Sequence, residues 1–317
     1  MTRISRSLLV AAVATVIAFT AGPPRASDLA DRIDAYVKPL VDAGQFSGCI
    51  LVTQNGQVTY ERAFGLADRK RHVRNTVDTR FCIASITKSM TQALTIQMLV
   101  EHKLALTDSL SKFIPDFPRG DEITVENLFR FRAGLPHRVM DESLENRRYT
   151  AADMVEKAKQ APLLYPPGEK SLYSSATYSV LARVLEIAGG QSFPDLLKSY
   201  VFAPAKMTET VDYEETADIP KSARGYVLQE DGPMLAPDKD YSFLVGAGSL
   251  FSTVHDLQRY FEAVLDTVYG ASVTASLAGQ GEIGSNGNTN GYRAFAAFSA
   301  ALVRWAIKLR SFSAKAA

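Results

Sequence analysis

Ser85 and Lys88 are the residues of this sequence whose types and spacing are best suited to chemistry. They lie three positions apart at the start of a long apolar segment, so a helix there would place the hydroxyl and the amine on one face. A serine hydroxyl is a poor nucleophile at neutral pH and needs a base within hydrogen-bond reach, and a desolvated lysine can serve as that base. The pair therefore predicts acyl-transfer chemistry in which Ser85 attacks a carbonyl carbon and Lys88 takes its proton.

The same spacing occurs a second time, which shows that spacing alone decides little. Ser109 and Lys112 are also three residues apart, but they lie in a polar stretch with no sign of a pocket. For Ser85 the alternative is that its hydroxyl only caps the helix while Lys88 extends to solvent. Apolar residues at helical intervals over 90–99 predict a largely buried helix, in which a lysine is costly unless it is paired or neutralised. On this segment alone both interpretations stay open.

The composition excludes several classes of function. The chain has 317 residues, a formal net charge of +1 and 46% hydrophobic residues, which fits one or two globular units and gives no basic patch for a nucleic acid. The four histidines show no zinc-ligand spacing with cysteine or carboxylate residues. Cys49 and Cys82 permit at most one disulfide and fit small core residues. We therefore expect no metal, no other cofactor and no nucleic-acid partner.

The N-terminal residues predict export. Arg3 and Arg6 precede an apolar run at 8–19 and a group of small and helix-breaking residues at 21–27. This is the pattern of a secretory signal peptide, and the apolar run is too short for a stable membrane span. We expect a signal peptide at 1–26, a mature chain with no stable membrane span, and a periplasmic or secreted location. The alternative is an uncleaved N-terminal anchor.

Hydrophobic periodicity predicts helices and strands that share one core. A helix that begins near Ser27 and ends near Gly44 precedes two strands joined by Asn55-Gly56, a pair that suits a tight hairpin turn. The signals are then mainly helical as far as residue 230, and a strand follows at 248–252. The predicted strands of the hairpin are 49–53 and 57–60, and the later helices are 125–132, 151–161, 177–188, 192–200 and 254–265.

A second polar cluster lies in the loop before the helix predicted at 177–188. Proline and glycine residues at 166–168 lead to Tyr173 and Ser175. A loop that enters a rigid helix can hold polar side chains over a cleft, so Tyr173 could carry a proton and Ser175 could donate to a substrate amide or carbonyl. The alternative is an ordinary loop in which Ser175 caps the helix.

In this order the segments resemble the serine β-lactamase and penicillin-recognising family, especially its class C, D-alanyl-D-alanine carboxypeptidase and esterase branch. The matching segments are Phe-Cys-Ile-Ala-Ser-Ile-Thr-Lys at 81–88, Pro-Gly at 167–168 leading to Tyr-Ser-Ser at 173–175, Val-Phe-Ala-Pro-Ala-Lys-Met-Thr-Glu-Thr at 201–210, and Gly-Ala-Gly-Ser-Leu-Phe-Ser-Thr at 246–253 followed by Asp-Leu at 256–257. The resemblance covers about residues 29–265. It implies an α/β (α+β) fold with an antiparallel sheet flanked by helices and a mainly helical subdomain. The whole of 27–317 would form one catalytic unit, with the sheet part at about 27–84 and 241–317 and the helical part at about 85–240.

The resemblance also implies roles for individual residues. Ser85 is the acylated nucleophile, Lys88 its proton partner, and Tyr173 the hydroxyl that helps to relay the proton to the leaving group. Whether Lys88 or Tyr173 is the base stays open. Ser175 occupies a position that is often asparagine in the family, so its contact with a substrate amide would be shorter and weaker.

Three departures from the family pattern affect the expectations. The triplet Ser285-Asn286-Gly287 most nearly matches the family's Lys-Thr-Gly or His-Ser-Gly, so Ser285 would replace a cationic or imidazole side chain. The backbone N–H groups of Ser85 and Asn288 would then form the oxyanion hole, unless this Gly/Asn/Ser-rich segment is only a loop. The loop at 129–136 lacks the family's histidine and serine, and the short stretch at 265–284 predicts that the C-terminal part of the sheet is incomplete.

The leading functional hypothesis is an exported serine hydrolase that cleaves an amide, β-lactam or ester bond through an acyl intermediate on Ser85. Its partner would be a small-molecule or peptidoglycan-like substrate, with an esterase or peptidase favoured over an efficient β-lactamase because Ser175 and Ser285 grip a charged β-lactam poorly. One alternative is a catalytically impaired, truncated family member that acts as a binding or regulatory module. Another is a periplasmic structural protein in which the matches are incidental.

Overall fold

The helices and strands that the sequence predicts occur in the predicted order, together with further strands that it does not predict. A computed structural model describes residues 26–54, 56–213, 219–237, 239–278, 282–299, 304–310 and 312–314. The helices are α1 (Ala26–Asp42), α2 (Thr87–Val100), α3 (Val125–Phe129), α4 (Ala151–Lys159), α5 (Ser175–Gly189), α6 (Phe193–Leu197), α7 (Val254–Leu265) and α8 (Ala271–Leu277). The strands are β1 (Gly48–Gln54), β2 (Gln57–Phe64), β3 (Leu66–Asp68), β4 (Val73–Arg74), β5 (Phe81–Cys82), β6 (Val211–Asp212), β7 (Tyr226–Gln229), β8 (Gly232–Leu235), β9 (Leu250–Ser252), β10 (Glu282–Thr289), β11 (Tyr292–Ser299), β12 (Arg304–Arg310) and β13 (Phe312–Ala314).

The main antiparallel sheet has five strands in the order β10-β11-β12-β1-β2. The β1–β2 pair is the predicted hairpin. Successive residues of a strand point to opposite faces. Cys49 and Leu51 accordingly enter the main core, whereas Ile50 packs in a second cluster with Val37 of α1. Core is therefore present on both faces of β1, as predicted for a sheet flanked by helices.

The C-terminal strands correct one expectation. The sequence predicts an incomplete C-terminal part of the sheet, but β10, β11 and β12 supply three of its five strands. Among the described residues of 265–284, Ala271–Leu277 form α8, and β10 already begins at Glu282. The pairing of β10 with β11 runs from Glu282↔Ser299 to Thr289↔Tyr292, so the residues 285–288 lie in a regular strand rather than a loop.

The helices predicted at 125–132 and 192–200 are both shorter in the structure. The helix predicted at 125–132 ends at Phe129, because Phe131 adopts a positive φ of 58° that an α-helix does not accept. The helix predicted at 192–200 is α-helical only over α6 and then becomes a π-helical turn at Lys198–Phe202. Helix α5 ends before Gly190, which caps it in the left-handed conformation that glycine favours.

The predicted signal peptide falls almost wholly outside the described residues. In the part of the chain that the structure describes, no helix combines the length and the apolar character needed to cross a bilayer.

Candidate active site

Ser85 lies in a tight turn between a short strand and the main buried helix. Strand β5 pairs with β9, and the chain then makes a 3₁₀ turn at Ala84–Ile86 before α2 begins at Thr87. Ala84 has a positive φ of 45°, a strained conformation for a residue with a Cβ, of the kind that clusters at functional sites. The residue that caps α2 is Ile86, with no side-chain hydrogen bond. The alternative that Ser85 serves as the helix cap is therefore wrong.

Lys88 is buried rather than extended to solvent. It is 5% exposed, and its Nζ lies 2.8 Å from the carbonyl oxygen of Ala247, 3.3 Å from the Ser85 Oγ and 3.3 Å from the Ser175 Oγ. Burial lowers the pKa of Lys88 from 10.5 to about 7. A neutral amine has two N–H donors and one lone pair, so the lone pair can face Ser85 while the N–H groups donate to the other two oxygens.

Tyr173 completes the cluster around the Ser85 hydroxyl. Its phenol donates to the Ser85 Oγ at 2.6 Å, and the Lys88 Nζ lies 4.8 Å from the centre of its ring. Burial raises the pKa of Tyr173, an effect opposed by the hydrogen bond to Ser85. The phenol is therefore protonated at neutral pH. The three groups predicted from the sequence lie together in the structure.

The segment after Phe243 holds Lys88 in place through its backbone. Three consecutive carbonyl oxygens each accept a hydrogen bond from a helix side chain: Val245 from Ser179 at 2.9 Å, Gly246 from Thr91 at 2.7 Å and Ala247 from Lys88 at 2.8 Å. An additional Cβ on Gly246 would lie 2.6 Å from the carbonyl oxygen of Tyr178, so this close approach requires glycine. The predicted match at 246–253 thus fixes the position of the amine.

The Ser175 hydroxyl is directed at Lys88. Ser175 is 9% exposed, and its Oγ approaches the Lys88 Nζ as described above. The cap of α5 is Ser174, whose Oγ accepts from the Thr177 N–H. The alternative that Ser175 caps this helix is therefore wrong. Its contact with a substrate stays a prediction.

Strand β10 passes close to the backbone of Ser85. A Cβ added to Gly287 would lie 2.0 Å from the carbonyl oxygen of Ile83 and 3.0 Å from the Ser85 nitrogen. Only glycine permits this approach. Ser285 and Asn288, on either side of Gly287, line the cleft beside Ser85. The strand thus lies beside Ser85, and the oxyanion hole and the roles of Ser285, Gly287 and Asn288 stay predictions.

These groups open into a cleft of about 940 Å³. Its lining includes Ser85, Lys88, Tyr173, Ser175, Ser285 and Asn288. By contrast, Ser109 and Lys112, which have the same spacing, do not line the cleft. The Lys112 side chain is 55% exposed and pairs with Asp108 at 2.8 Å. Structural context therefore separates two segments with the same residue spacing. The two cysteines are free, buried core residues, and burial raises the pKa of both thiols to about 12.

His137 is a site residue that the sequence analysis did not identify. It lines the cleft, and its Nδ1 accepts a hydrogen bond from the Ser175 N–H at 3.3 Å. Its ring stacks on that of Tyr173 with 5.6 Å between the centres. A signal was present in the sequence, since this histidine directly follows the Gly134-Leu135-Pro136 segment of the loop whose family pattern is altered.

The comparison with protein families identifies the class. The family model described as Beta-lactamase matches residues 33–300. The chain therefore belongs to the β-lactamase family, and the resemblance inferred from the sequence is confirmed.

The individual proteins that this chain resembles share less than a third of its residues in the aligned segments. PbpX of Bacillus subtilis (strain 168) is 28% identical over 239 residues, which is 75% of this chain and 59% of that protein. A teichoic acid D-alanine hydrolase of Staphylococcus aureus is 27% identical over 229 residues, 72% of this chain and 55% of that protein. This chain thus spans somewhat over half the length of these two relatives. Among solved structures, the D-amino acid amidase of Ochrobactrum anthropi with D-phenylalanine has a TM-score of 0.81 at 20% identity, covering 91% of this chain and 93% of that one. This likeness confirms the fold.

Proposed function

We propose that this protein is an exported serine hydrolase that cleaves an amide or ester bond, β-lactams included, through an acyl intermediate on Ser85. The observation that carries the proposal is the position of the Ser85 Oγ, 2.6 Å from a protonated phenol and 3.3 Å from an amine whose pKa is about 7. Such a nucleophile and base within hydrogen-bond reach define covalent catalysis. The predicted signal peptide supports export.

Lys88 is the base in this proposal. With a pKa of about 7, a large fraction of Lys88 is neutral at physiological pH and can accept a proton. As the Ser85 Oγ attacks the carbonyl carbon, its proton passes to the Lys88 Nζ and the carbonyl oxygen becomes an oxyanion. The backbone N–H groups of Ser85 and Asn288 would stabilise this charge.

Tyr173 then delivers a proton to the leaving group. Its raised pKa keeps the phenol protonated, so it suits the role of acid better than that of base. The phenol gives its proton to the departing nitrogen or oxygen as the carbonyl–leaving-group bond breaks, and it recovers one from the Lys88 ammonium. Water then attacks the acyl group on Ser85 and loses its proton to Lys88. Lys88 returns this proton to the Ser85 Oγ as the ester bond breaks and the acid leaves.

The names of two similar proteins suggest the substrates to test first. One is a teichoic acid D-alanine hydrolase and another is a D-amino acid amidase. Esters and amides of small D-amino acids, together with short-chain aryl esters and a labelled penicillin, therefore form the first panel for this cleft. We favour esterase or peptidase activity over efficient β-lactamase activity, because the triplet Ser285-Asn286-Gly287 has a serine where the family commonly has a cationic or imidazole side chain.

Active-site labelling with intact-protein mass spectrometry tests the proposal. A fluorophosphonate should add one adduct mass to the wild-type chain, and peptide mapping should place it on Ser85. Ser85→Ala should abolish both labelling and turnover. Ser109→Ala, at the serine with the same spacing to a lysine, should retain them. The mature mass reports signal cleavage in the same spectrum. Turnover that persists in Ser85→Ala would refute the role of Ser85.

A second function is favoured by one observation, the absence of a cationic or imidazole side chain at position 285. In that case the chain would bind ligands as a catalytically impaired module. Reversible penicillin binding without an adduct on Ser85, and no turnover of any substrate in the panel, would support this second function over the first.

A further inference from the structure

His137 contacts two parts of the active site, and the mechanism above does not use it. The residue is exposed on the wall of the cleft. Its imidazole ring lies at 27° to the ring of Tyr173, a stacked arrangement, and its Nδ1 accepts from the Ser175 N–H. One side chain therefore touches the proposed acid and the first residue of α5.

The hydrogen bond to Ser175 meets a need of the helix. The first N–H groups of an α-helix have no partner within the helix, and an outside acceptor fixes the entry of the chain. Ser175 is the first residue of α5, and its hydroxyl contacts Lys88. Tyr173 lies two residues upstream and donates to Ser85. An acceptor at this N–H therefore constrains both Tyr173, which contacts Ser85, and Ser175, which contacts Lys88.

We propose that His137 is a positioning residue that holds Tyr173 and Ser175 in their reactive positions, acting in its neutral form with the proton on Nε2. This inference rests on the proposed function. The tautomer follows from the geometry, because an Nδ1 that accepts a hydrogen bond carries no proton.

The charged groups around His137 favour this neutral form. Partial burial lowers the pKa of His137 below its ordinary value of 6.5, and the charges on Lys88 and Arg138 lower it further, while the backbone carbonyl of Tyr173 opposes them. Arg138 is itself paired with Glu142 and lies 3.4 Å from Glu145. Protonation in acid would place a hydrogen on Nδ1 and break the bond to Ser175.

Two substitutions distinguish the contribution of the Nδ1 acceptor from that of the imidazole ring. His137→Phe keeps a flat ring against Tyr173 but removes the acceptor, whereas His137→Asn keeps an acceptor and removes the ring. We expect His137→Phe to lower kcat by about 10- to 100-fold with KM changed by less than about threefold, since a small misplacement of reacting groups has effects of this size. His137→Asn should stay within about threefold of wild type. His72→Asn, at an exposed histidine, is the matched control.

The pH profile gives a readout that a purely structural role would not change. In the wild type, log kcat/KM should fall with a slope of 1 below the pKa of Lys88 and steepen towards 2 once His137 is protonated. In His137→Asn the slope should stay at 1. Wild-type kinetics in His137→Phe, or equal losses in the Phe and Asn variants, would overturn the proposal.

The tautomer can be measured without any activity. A long-range ¹H–¹⁵N spectrum of the wild-type chain distinguishes the two neutral forms of each of its four histidines, and the signals lost in His137→Asn identify His137. We expect the Nε2–H form, and an Nδ1–H form would overturn the proposal. An inactive wild-type chain would instead refute the proposed function, and the tautomer would still decide the contact with Ser175.

Discussion

Replacing Lys88 by methionine should stabilise this protein while it abolishes activity. The native site holds the Lys88 amine almost out of contact with water, and burial lowers its pKa from 10.5 to about 7. At roughly 1.4 kcal/mol for each tenfold change in proton affinity, this difference corresponds to about 5 kcal/mol of destabilisation when the amine is charged. Methionine has a similar length and carries no charge to bury.

Two opposing effects set the net change. The substitution removes the cost of the buried charge, but it leaves the carbonyl oxygen of Ala247 without its donor, which costs about 1–3 kcal/mol. Below pH 7 we therefore expect Lys88→Met to raise the free energy of unfolding by roughly 2–4 kcal/mol.

The pH dependence is the sharper test, because the lost hydrogen bond contributes equally at every pH. Between pH 7 and 10.5 the unfolded chain carries a proton on Lys88 that the native chain lacks, so wild-type stability rises with pH in this window. The advantage of Lys88→Met should therefore shrink by about 3 kcal/mol between pH 5.5 and pH 9.

Urea unfolding followed by circular dichroism at pH 5.5, 7 and 9 measures these differences. Lys112→Met is the matched control, since this exposed lysine has the same spacing from a serine, and its difference from wild type should not vary over this range. A stability difference for Lys88→Met that is independent of pH, or one that grows towards pH 9, would refute the claim that Lys88 is buried at a depressed pKa.

Three further predictions concern activity on an aryl ester. Tyr173→Phe can keep the ring contact with His137 but loses the hydroxyl that lies 2.6 Å from the Ser85 Oγ. Its kcat/KM should therefore fall by about 10²- to 10⁴-fold while the urea midpoint stays near that of wild type. An unchanged rate would remove Tyr173 from the mechanism. Gly287→Ala places a Cβ 2.0 Å from the Ile83 carbonyl oxygen and must displace β10 from Ser85. Labelling by a fluorophosphonate should therefore slow by about a hundredfold or more. Normal labelling would show that β10 does not help to form the oxyanion hole. The wild-type kcat/KM should be half-maximal near pH 7 and fall as the pH drops, because protonation of Lys88 removes the base. Rates measured in buffers from pH 5 to 10 should show no loss on the alkaline side, because burial raises the pKa of Tyr173 and keeps its phenol protonated.

The sequence predicted most of the fold because local signals and packing agree. Periodicity located α2 and α7, and the Asn-Gly pair located the β1–β2 hairpin. The C-terminal strands were not predicted, because β10 is rich in glycine, asparagine and serine, which are also ordinary loop residues. The end of α3 was also missed, because the positive φ of Phe131 is a local backbone choice that its residue type does not signal.

The members of the candidate catalytic cluster were predicted from the sequence, but their geometry was not. Ser85, Lys88 and Tyr173 were identified by type and order, yet the base could not be chosen, because burial of Lys88 is a property of packing between distant segments. The role of Ser175 likewise depends on which way its hydroxyl points, and the structure directs it at Lys88. The sequence did not indicate a role for His137, because a single histidine indicates a site only once its ring is known to lie beside Tyr173.

The backbone at 245–247 explains how a costly buried amine is tolerated. Ser179 of α5, together with Thr91 and Lys88 of α2, donates to three consecutive carbonyl oxygens, so the lysine is one of three donors that bind this segment to both helices. The other two bonds persist whether Lys88 is charged or neutral, and they keep the acceptor for its amine in place. This arrangement can keep a lysine buried at a depressed pKa. The destabilisation is confined to Lys88 and is offset by the hydrogen bonds of Ser179 and Thr91, which do not titrate.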